Sequence, residues 1–371
     1  MLRLLRTGFF RDKLKQTTVL ERCRVKLPHW PRRLIIAIVV AQILLVLFIV
    51  NMIRSGGLFG APQRLVRTEF LMNTVVETVI YIADAKTGQQ ALADASSAAV
   101  RLEAILDRHR AGSELTAINA LAGKEPVSVS ADTFTNISLA LEVGRLSSGA
   151  FDLTVAPLLE LWGFGTGNAV VPSEQELAKV LPLVDYRKVR LTDEGTQVFL
   201  ENEGMKLDLG GIAKGFVVDR AVEVLRAAGV SSGTVDAGGD IRVIGSKPDG
   251  SPWRIGIRHP RERRELVAIV ELRDKAIVTS GDYERFFNVG EQRYHHLLVP
   301  QTGMPARGVT SVTIVAPDAF TADAYSTAVF VMGRERGMAL VESLPELEAI
   351  IITEDGQIHL SAGLEGQVEI L

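Results

Sequence analysis

The chain lacks most of the sulfur chemistry that many proteins use for stability or catalysis. Its 371 residues include one cysteine, Cys23. A disulfide framework is therefore excluded, and the rest of the chain has no thiol ligand or thiol nucleophile. The sequence also has no internal repeat and no low-complexity segment, and 47% of its residues are hydrophobic. We expect one or two globular domains that are stable through their core alone.

The longest apolar run extends from Leu34 to Ile53 and contains only two polar residues, Gln42 and Asn51. As a helix it would be about 30 Å long, which matches the hydrocarbon thickness of a bilayer. The alternative is a cleaved signal peptide, which has a shorter apolar region and a small-residue cleavage site, whereas Arg54 follows this run. The sequence predicts one uncleaved transmembrane helix at 34–53.

Charge is distributed unevenly around this run. Residues 1–33 contain ten Lys or Arg and two Asp or Glu, whereas the remainder contains 31 and 42. The basic side should remain in the cytoplasm, where it can contact anionic lipids, so we expect a cytoplasmic (inner) membrane protein whose residues 54–371 face the periplasm or the outside. The acidic remainder argues against nucleic acid as a partner. The expected segments are a basic cytoplasmic segment 1–33, the transmembrane helix 34–53, a linker 54–65 and a domain 66–371.

The order of predicted elements favours an α+β fold, with mixed or antiparallel sheets packed against helices. Helices and hairpins follow one another without regular βαβ alternation. The patterns predict helices at 88–107, 131–148, after Ser173, at 215–228 and at 318–344 with a break near Gly333. They predict strands at 69–82, 232–236, 240–245, 253–258, 265–271, 276–280 and 285–298, and a hairpin with a third strand at 187–208.

The stretch "LDLGGIAKG" (207–215) places two glycines before a helix and a lysine inside its first turn. Paired glycines permit positive φ and a bare backbone, and N–H groups at a helix start favour an anion such as phosphate. Lys214 would add a positive charge. The spacing matches neither a P-loop nor a dinucleotide-binding fingerprint. On spacing alone, a structural turn with a solvated lysine is favoured over a phosphate site, and both interpretations stay open.

Three further stretches carry candidate chemistry. Asp323 and Thr327 lie four residues apart in a predicted helix, so their oxygens share one face and could hold Mg²⁺ beside a phosphate, although an exposed Asp beside a backbone-bonded Thr fits the spacing too. "DAGGDIRVIG" (236–245) has a second glycine pair, which a tight β-connection also explains. His295 and His296 should point to opposite sides of a strand, and no cysteine or carboxylate pattern supports zinc there.

Together these stretches resemble the FAD:protein FMN transferases of the ApbE family. The resemblance covers about residues 66–371. Seven motifs occur in the family's order: "GSELTAIN", "GAFDLTVAPLLELWGFG", "LDLGGIAKGFVVDRA", "DAGGDIRVIG", "TSGDYERFF", "YHHLLVPQTGMPA" and "TADAYSTAVFVMG".

The resemblance implies transfer of FMN from FAD to a Ser or Thr hydroxyl of a membrane redox flavoprotein, with Mg²⁺ as cofactor and AMP as leaving group. It implies that His296 is the base beside FAD. It also implies that Gly211, through its carbonyl, and the side chains of Asp323 and Thr327 hold the metal. The FAD contacts that it implies are Met72, His109, Ala150, Phe151, Asp152, Asp208, Lys214 and His296. Two alternatives remain open, namely hydrolysis of FAD to FMN and AMP, and a flavin-binding assembly factor without turnover.

The sequence departs from the family pattern at three positions. Asn73 replaces a common glycine, His109 replaces a frequent tyrosine, and Val299 replaces a frequent aspartate. These changes bear on affinity and on the choice of acceptor more than on the class of reaction.

Overall fold

The computed structural model describes residues 31–54, 61–192, 196–262 and 264–371, without the side chains of 32, 33, 35 and 51–54. Contacts divide the chain into two compact units, Met1–Leu58 and Phe59–Leu371. Residues 1–30 of the expected basic segment 1–33 and residues 55–60 of the expected linker 54–65 lie outside the described residues.

In the first unit, helix α1 comprises Arg32–Arg54. Its described apolar side chains are exposed, among them Leu44, Leu47 and Phe48 at 60%, 57% and 62%. Of the predicted run 34–53, side chains are described at 34 and 36–50. Among the residues that the structure describes, no helix combines the length and the apolarity that a membrane crossing requires. The predicted transmembrane helix is therefore not confirmed.

The second unit is built on an eight-stranded sheet, in which every neighbouring pair of strands is antiparallel. Its strands lie in the order β1 (Gln63–Leu71), β2 (Thr74–Ile82), β6 (Ser232–Ala237), β7 (Asp240–Gly245), β10 (Ala276–Gly281), β13 (Val309–Ala316), β14 (Glu348–Thr353) and β15 (Ile358–Leu360).

The described residues of this unit also form three smaller sheets. They are β3 (Val127–Ser128), β5 (Gln197–Leu200) and β4 (Val189–Leu191); β16 (Val368–Ile370), β9 (Leu266–Leu272) and β8 (Trp253–Arg258); and the pair β11 (Phe286–Val289) and β12 (Gln292–His295). The helices are α2 (Ala85–Leu106), α3 (Glu114–Ala120), α4 (Ala131–Leu146), α5 (Ala156–Trp162), α6 (Glu174–Val180), α7 (Ala213–Ala227), α8 (Ala319–Met332) and α9 (Arg334–Glu342).

The central strands are covered on both faces. On β10, Val278 belongs to the large core that includes residues of α2, α7 and α8, whereas its neighbour Ile277 belongs to a second core with residues of β8 and β9. Ile314 and Val315 of β13 alternate in the same way. Because successive side chains of a strand point to opposite faces, this sheet lies in the middle of a layered α+β unit, as the sequence predicts.

The structure differs from the sequence expectations at several elements. Residues 69–82 form a hairpin rather than one strand, since Met72 and Asn73 adopt positive φ and reverse the chain. Residues 285–298 likewise contain the hairpin β11–β12. The third strand predicted within 187–208 is not formed, since residues 201–208 contain no strand, and helices α3 and α5 were not expected. The predicted break at Gly333 is confirmed, with φ +79° between α8 and α9.

Candidate active site

The site is organised by the close crossing of α7 and α8. A Cβ built on Gly215 would lie 2.1 Å from the carbonyl oxygen of Ala319 and 2.9 Å from the Cβ of Asp323. Only glycine permits this approach. The crossing brings Asp323 to the first turn of α7, where its Oδ2 accepts the Gly215 N–H at 3.0 Å.

The glycine pair before α7 leaves space for neighbouring side chains. Neither Gly210 nor Gly211 has positive φ, so of the two properties that a glycine pair permits, only the bare backbone surface is used here. Instead, a Cβ on Gly211 would lie 3.1 Å from Thr327 Oγ1 and 3.3 Å from Phe151 Cε2. The backbone of Gly211 therefore lies directly against the hydroxyl that was predicted to share a metal with it.

A cavity of about 400 Å³ opens at this point. Every candidate residue of the sequence analysis lines it. These residues are Met72, His109, Ala150, Phe151, Asp152, Asp208, Gly211, Lys214, His296, Asp323 and Thr327.

Lys214 is paired rather than solvated. Its Nζ lies 2.5 Å from Asp240 Oδ2 and 3.9 Å from Asp323 Oδ1. Burial by itself lowers the pKa of Lys214, but the two carboxylates outweigh burial and raise that pKa above its ordinary value. Burial also raises the pKa of Asp240, and the charge of Asp323 raises it further. Lys214 is therefore positively charged where it lines the cavity.

Asp208 holds a second cation at the cavity. Its Oδ2 accepts a hydrogen bond from Arg108 Nε at 2.5 Å, and its Oδ1 accepts one from the Gly210 N–H at 2.7 Å. Arg108 also donates to Glu160 at 3.0 Å and lines the cavity. The Arg108 guanidinium can bind an anion there, although nothing in the sequence around Arg108 indicates an anion-binding role.

The "GAFD" stretch forms part of the cavity wall. Phe151 is 4% exposed, and Asp152 is also buried. Both carboxylate oxygens of Asp152 have partners within the chain, because Oδ1 accepts from the Thr154 N–H at 2.8 Å and Oδ2 accepts from the Tyr186 N–H at 2.9 Å. Burial raises the pKa of Asp152. This carboxylate therefore braces the loop that presents Phe151.

Two hairpin tips form another wall. Met72 and Asn73 are the central residues of the β1–β2 turn, with φ +53° and +57°, the geometry of a type I′ turn. The β6–β7 turn uses Gly238 and Gly239, with φ +65° and +99°. A Cβ on Gly238 would lie 2.2 Å from Thr74 Oγ1, so the two tips pack against each other. Asn is the non-glycine residue that best tolerates this backbone, which explains how Asn73 can replace glycine.

The tandem histidines occupy different environments, as their alternation predicts. His295 is 2% exposed, its Nε2 lies 2.9 Å from the Ala306 carbonyl oxygen, and its ring packs edge-on against Phe330. His296 lines the cavity, and its Nδ1 lies 3.2 Å from the Arg285 carbonyl oxygen. A carbonyl can only accept, so Nδ1 carries the hydrogen and Nε2 has the lone pair.

His109 and Val299 are the other two departures from the family pattern, and each has a simple structural setting. His109 is exposed at the cavity edge. Val299 belongs to an ordered turn, since its carbonyl oxygen accepts the Gly303 N–H at 2.8 Å and its N–H donates to Met304 at 2.8 Å. The turn is held further by Trp162, whose Nε1 donates to the Gly303 carbonyl oxygen at 2.7 Å.

Sequence reasoning assigned no role to several other residues of the cavity wall. Asp240 stands in the quoted "DAGGD" stretch, but only the fold shows that its carboxylate meets Lys214. Phe164 stacks on Trp162 with ring centroids 5.6 Å apart. The additional lining residues include Arg108, Phe164, Asp240, Ser280 and Arg285.

Comparison with known proteins gives a consistent result. The profile of the ApbE family matches residues 72–351. A protein of Treponema pallidum named FAD:protein FMN transferase is 36% identical over 82% of this chain and 89% of its own length. One of Vibrio cholerae with the same name is 37% identical over 72% and 83%.

Solved structures agree with the sequence comparison. The ApbE protein of Thermotoga maritima superposes with a TM-score of 0.76 at 38% identity, over 82% of this chain and 99% of that one. The flavin transferase ApbE of Vibrio cholerae gives a TM-score of 0.74 at 32% identity, with the same coverage of both chains. With the fold, the site and the family profile in agreement, the chain belongs to the ApbE family.

Proposed function

We propose that this protein is a Mg²⁺-dependent FAD:protein FMN transferase, which attaches FMN to a Ser or Thr hydroxyl of an acceptor flavoprotein and releases AMP. The observation that carries the proposal is the shared cavity: the eleven candidate residues, scattered from Met72 to Thr327, all line it. Relatives that bear this name match most of the chain.

The donor set at the α7–α8 crossing fits Mg²⁺. Thr327 Oγ1 lies against the backbone of Gly211, and Asp323 lies one helical turn before it. The described residues contain no cluster of three His, Cys, Asp or Glu side chains suited to a metal, so the ligands would be one carboxylate, a hydroxyl, a carbonyl and substrate phosphate. Such hard oxygen ligands suit Mg²⁺, which usually keeps substrate phosphates in its shell. When bound, Mg²⁺ would neutralise charge on the diphosphate.

The chain supplies two cations for the same diphosphate. Lys214 lies in α7 and Arg108 lies in the turn that follows α2, and each is held by a carboxylate of the protein. Charge-assisted hydrogen bonds from these groups would orient the phosphates and offset the charge that develops on the leaving AMP.

His296 is the proposed general base. Its Nε2 would take the proton of the acceptor hydroxyl as that oxygen forms a bond to the phosphorus of the FMN half. The bond from this phosphorus to the oxygen of the AMP half breaks, and AMP leaves with the electron pair. His296 starts the step neutral, because burial and then Arg285 lower its pKa to about 3. The phosphate charges of FAD would raise that pKa once the substrate is bound.

We also propose that α1 tethers the catalytic unit to the cytoplasmic membrane, on its outer side. The support is the 20-residue apolar run in the sequence, its helical conformation and the exposure of its described side chains. A tether would raise the local concentration of enzyme near a membrane-bound redox acceptor.

Replacement of His296 tests the reaction. The enzyme, FAD and Mg²⁺ are incubated with membranes of the source organism from which the gene has been deleted, and covalent flavin on proteins is read by gel fluorescence and mass spectrometry. His296→Ala should slow transfer by about a hundredfold or more, whereas the control His359→Ala on β15 should act like wild type. Transfer by His296→Ala at the wild-type rate would refute the assigned base.

The same assay separates transfer from hydrolysis. Transfer yields AMP and protein-bound FMN in equal amounts, whereas hydrolysis yields AMP and free FMN. An absence of AMP from the wild-type reaction would instead indicate a flavin-binding factor without turnover.

A further inference from the structure

Asp240 is a buried carboxylate of the cavity, and the reaction described above uses it only as the partner of Lys214. Its residue is 1% exposed, and it is the first residue of β7, directly after the Gly238–Gly239 turn. Its backbone is fixed on both sides, since Asp240 pairs with Ala237 of β6 and with Val278 of β10. A charge in this position costs free energy unless it is paired.

The partner of Asp240 is a lysine that has two carboxylates within reach. Lys214 Nζ lies 2.5 Å from Asp240 Oδ2 but 3.9 Å from Asp323 Oδ1. Asp323 is also the proposed Mg²⁺ ligand, and its other oxygen is engaged by the Gly215 N–H at 3.0 Å. Oδ1 is thus the oxygen for which an ammonium group and a metal ion would compete.

We propose that Asp240 is a positioning residue, which draws Lys214 away from Asp323 and thereby keeps Oδ1 available to Mg²⁺. The inference rests on the proposed function, because it takes Asp323 as the metal ligand. Without the carboxylate at 240, the flexible lysine side chain would pair with its second neighbour, Asp323. The ammonium would then occupy the oxygen that the metal needs and would repel the metal ion.

The arrangement suits this role because the three groups belong to different elements. The carboxylate of Asp240 comes from the sheet, Lys214 comes from α7 and Asp323 comes from α8. Strand pairing holds the backbone of Asp240 on both sides, so its carboxylate provides a fixed partner for the flexible lysine side chain. A purely structural ion pair would stabilise the fold equally well but would leave the affinity for metal unchanged.

The test is a double-mutant cycle on metal affinity. Mg²⁺ is titrated calorimetrically into the full chain saturated with ADP, a diphosphate that cannot donate FMN. Asp240→Asn should weaken Mg²⁺ binding by about tenfold or more, since it leaves Lys214 uncompensated beside Asp323. In the Lys214→Met background the same Asp240→Asn change should have little effect, so the two substitutions should be strongly non-additive.

Asp236→Asn is the matched control. Asp236 lies in the same hairpin, where its Oδ1 accepts the Gly239 N–H at 2.8 Å, and burial raises the pKa of this carboxyl as well. It should bind Mg²⁺ like wild type. Wild-type affinity in Asp240→Asn, or an equal loss in the presence and absence of Lys214, would overturn the inference.

Two further results separate the inference from the proposed function. Unchanged Mg²⁺ binding by Asp323→Asn would refute the metal site itself, and with it the basis of the inference. Loss of binding in Asp323→Asn with full binding in Asp240→Asn would refute only the role of Asp240. If Asp240→Asn alone does not fold, Asp240→Ser, which also removes the carboxylate, takes its place in the cycle, with the same expected loss of Mg²⁺ affinity and the same coupling to Lys214→Met.

Discussion

Asn73 shows how a single residue can depart from a family pattern without loss of geometry. Its φ of +57° costs most side chains about 1–2 kcal/mol, and asparagine least among them. The sequence shows that Asn73 stands where the family commonly has glycine. It does not show why, because the explanation is the turn between β1 and β2, and the sequence predicted a single strand at 69–82. A short apolar stretch does not reveal where the chain reverses when no glycine marks the turn.

The first prediction concerns this turn. Asn73→Gly should retain or slightly increase the free energy of unfolding, whereas Asn73→Ala should lower it by about 1 kcal/mol, because alanine disfavours positive φ. Chemical denaturation of both variants measures the difference. Equal stability of the two variants would show that the turn does not constrain this position.

The second prediction concerns His296 and pH. Its pKa is lowered from 6.5 to about 3, chiefly by burial and then by Arg285. Between pH 6.5 and 3 the unfolded chain therefore binds a proton that the folded chain does not, so the free energy of unfolding should fall as pH decreases through this window. Above pH 6.5 this residue should contribute no pH dependence.

Replacement of His296 separates its contribution to the pH dependence of stability from that of the other titrating groups. His296→Asn should show a shallower decline of stability from pH 6.5 to 3 than wild type, measured by denaturant titrations at several pH values. Identical slopes in the two proteins would contradict a His296 ring that stays neutral in the folded protein.

At the scale of elements, the site depends on how closely two helices cross. The sequence indicated both helices and the shared face of Asp323 and Thr327. It could not indicate that Gly215 is the contact point, because the clash that excludes a side chain comes from Ala319, more than 100 positions away in the chain. Contacts between distant segments leave no periodic signal, which is also why Asp240 and Arg108 were missed.

The third prediction tests this crossing. Gly215→Ala raises helix propensity yet should lower the free energy of unfolding by about 3 kcal/mol, because the new methyl group must push α8 away from α7. It should also weaken Mg²⁺ binding through the displacement of Asp323. Thermal denaturation and calorimetry measure the two effects.

A second substitution in α7 serves as the control, because it changes helix propensity at a position without a close helix contact. Ala227→Gly, at the exposed end of α7, should cost about 1 kcal/mol at most and leave Mg²⁺ binding intact. A Gly215→Ala protein as stable as wild type would show that the two helices can separate freely.

At the scale of the molecule, the two compact units carry separable tasks in the proposed function. The fourth prediction is that Leu44→Arg in α1 reduces sedimentation of the full chain with lipid vesicles, because a charge in an apolar helix disfavours insertion. Binding of FAD should not change, since the cavity belongs to the second unit.

Leu266→Arg is the corresponding control. Leu266 is an exposed leucine of β9, 44% accessible, and its replacement should leave vesicle binding unaffected. Equal sedimentation of the Leu44→Arg chain and wild type would argue against the tether.

The stack of Trp162 on Phe164 has a practical consequence. The indole is fully enclosed, yet its aromatic neighbour lies on the cavity surface. A flavin that enters would absorb light at the wavelengths where this indole emits. The fluorescence of Trp162 should therefore decrease when FAD binds in the cavity. It should increase again when the flavin leaves, so it reports how much of the protein has FAD bound.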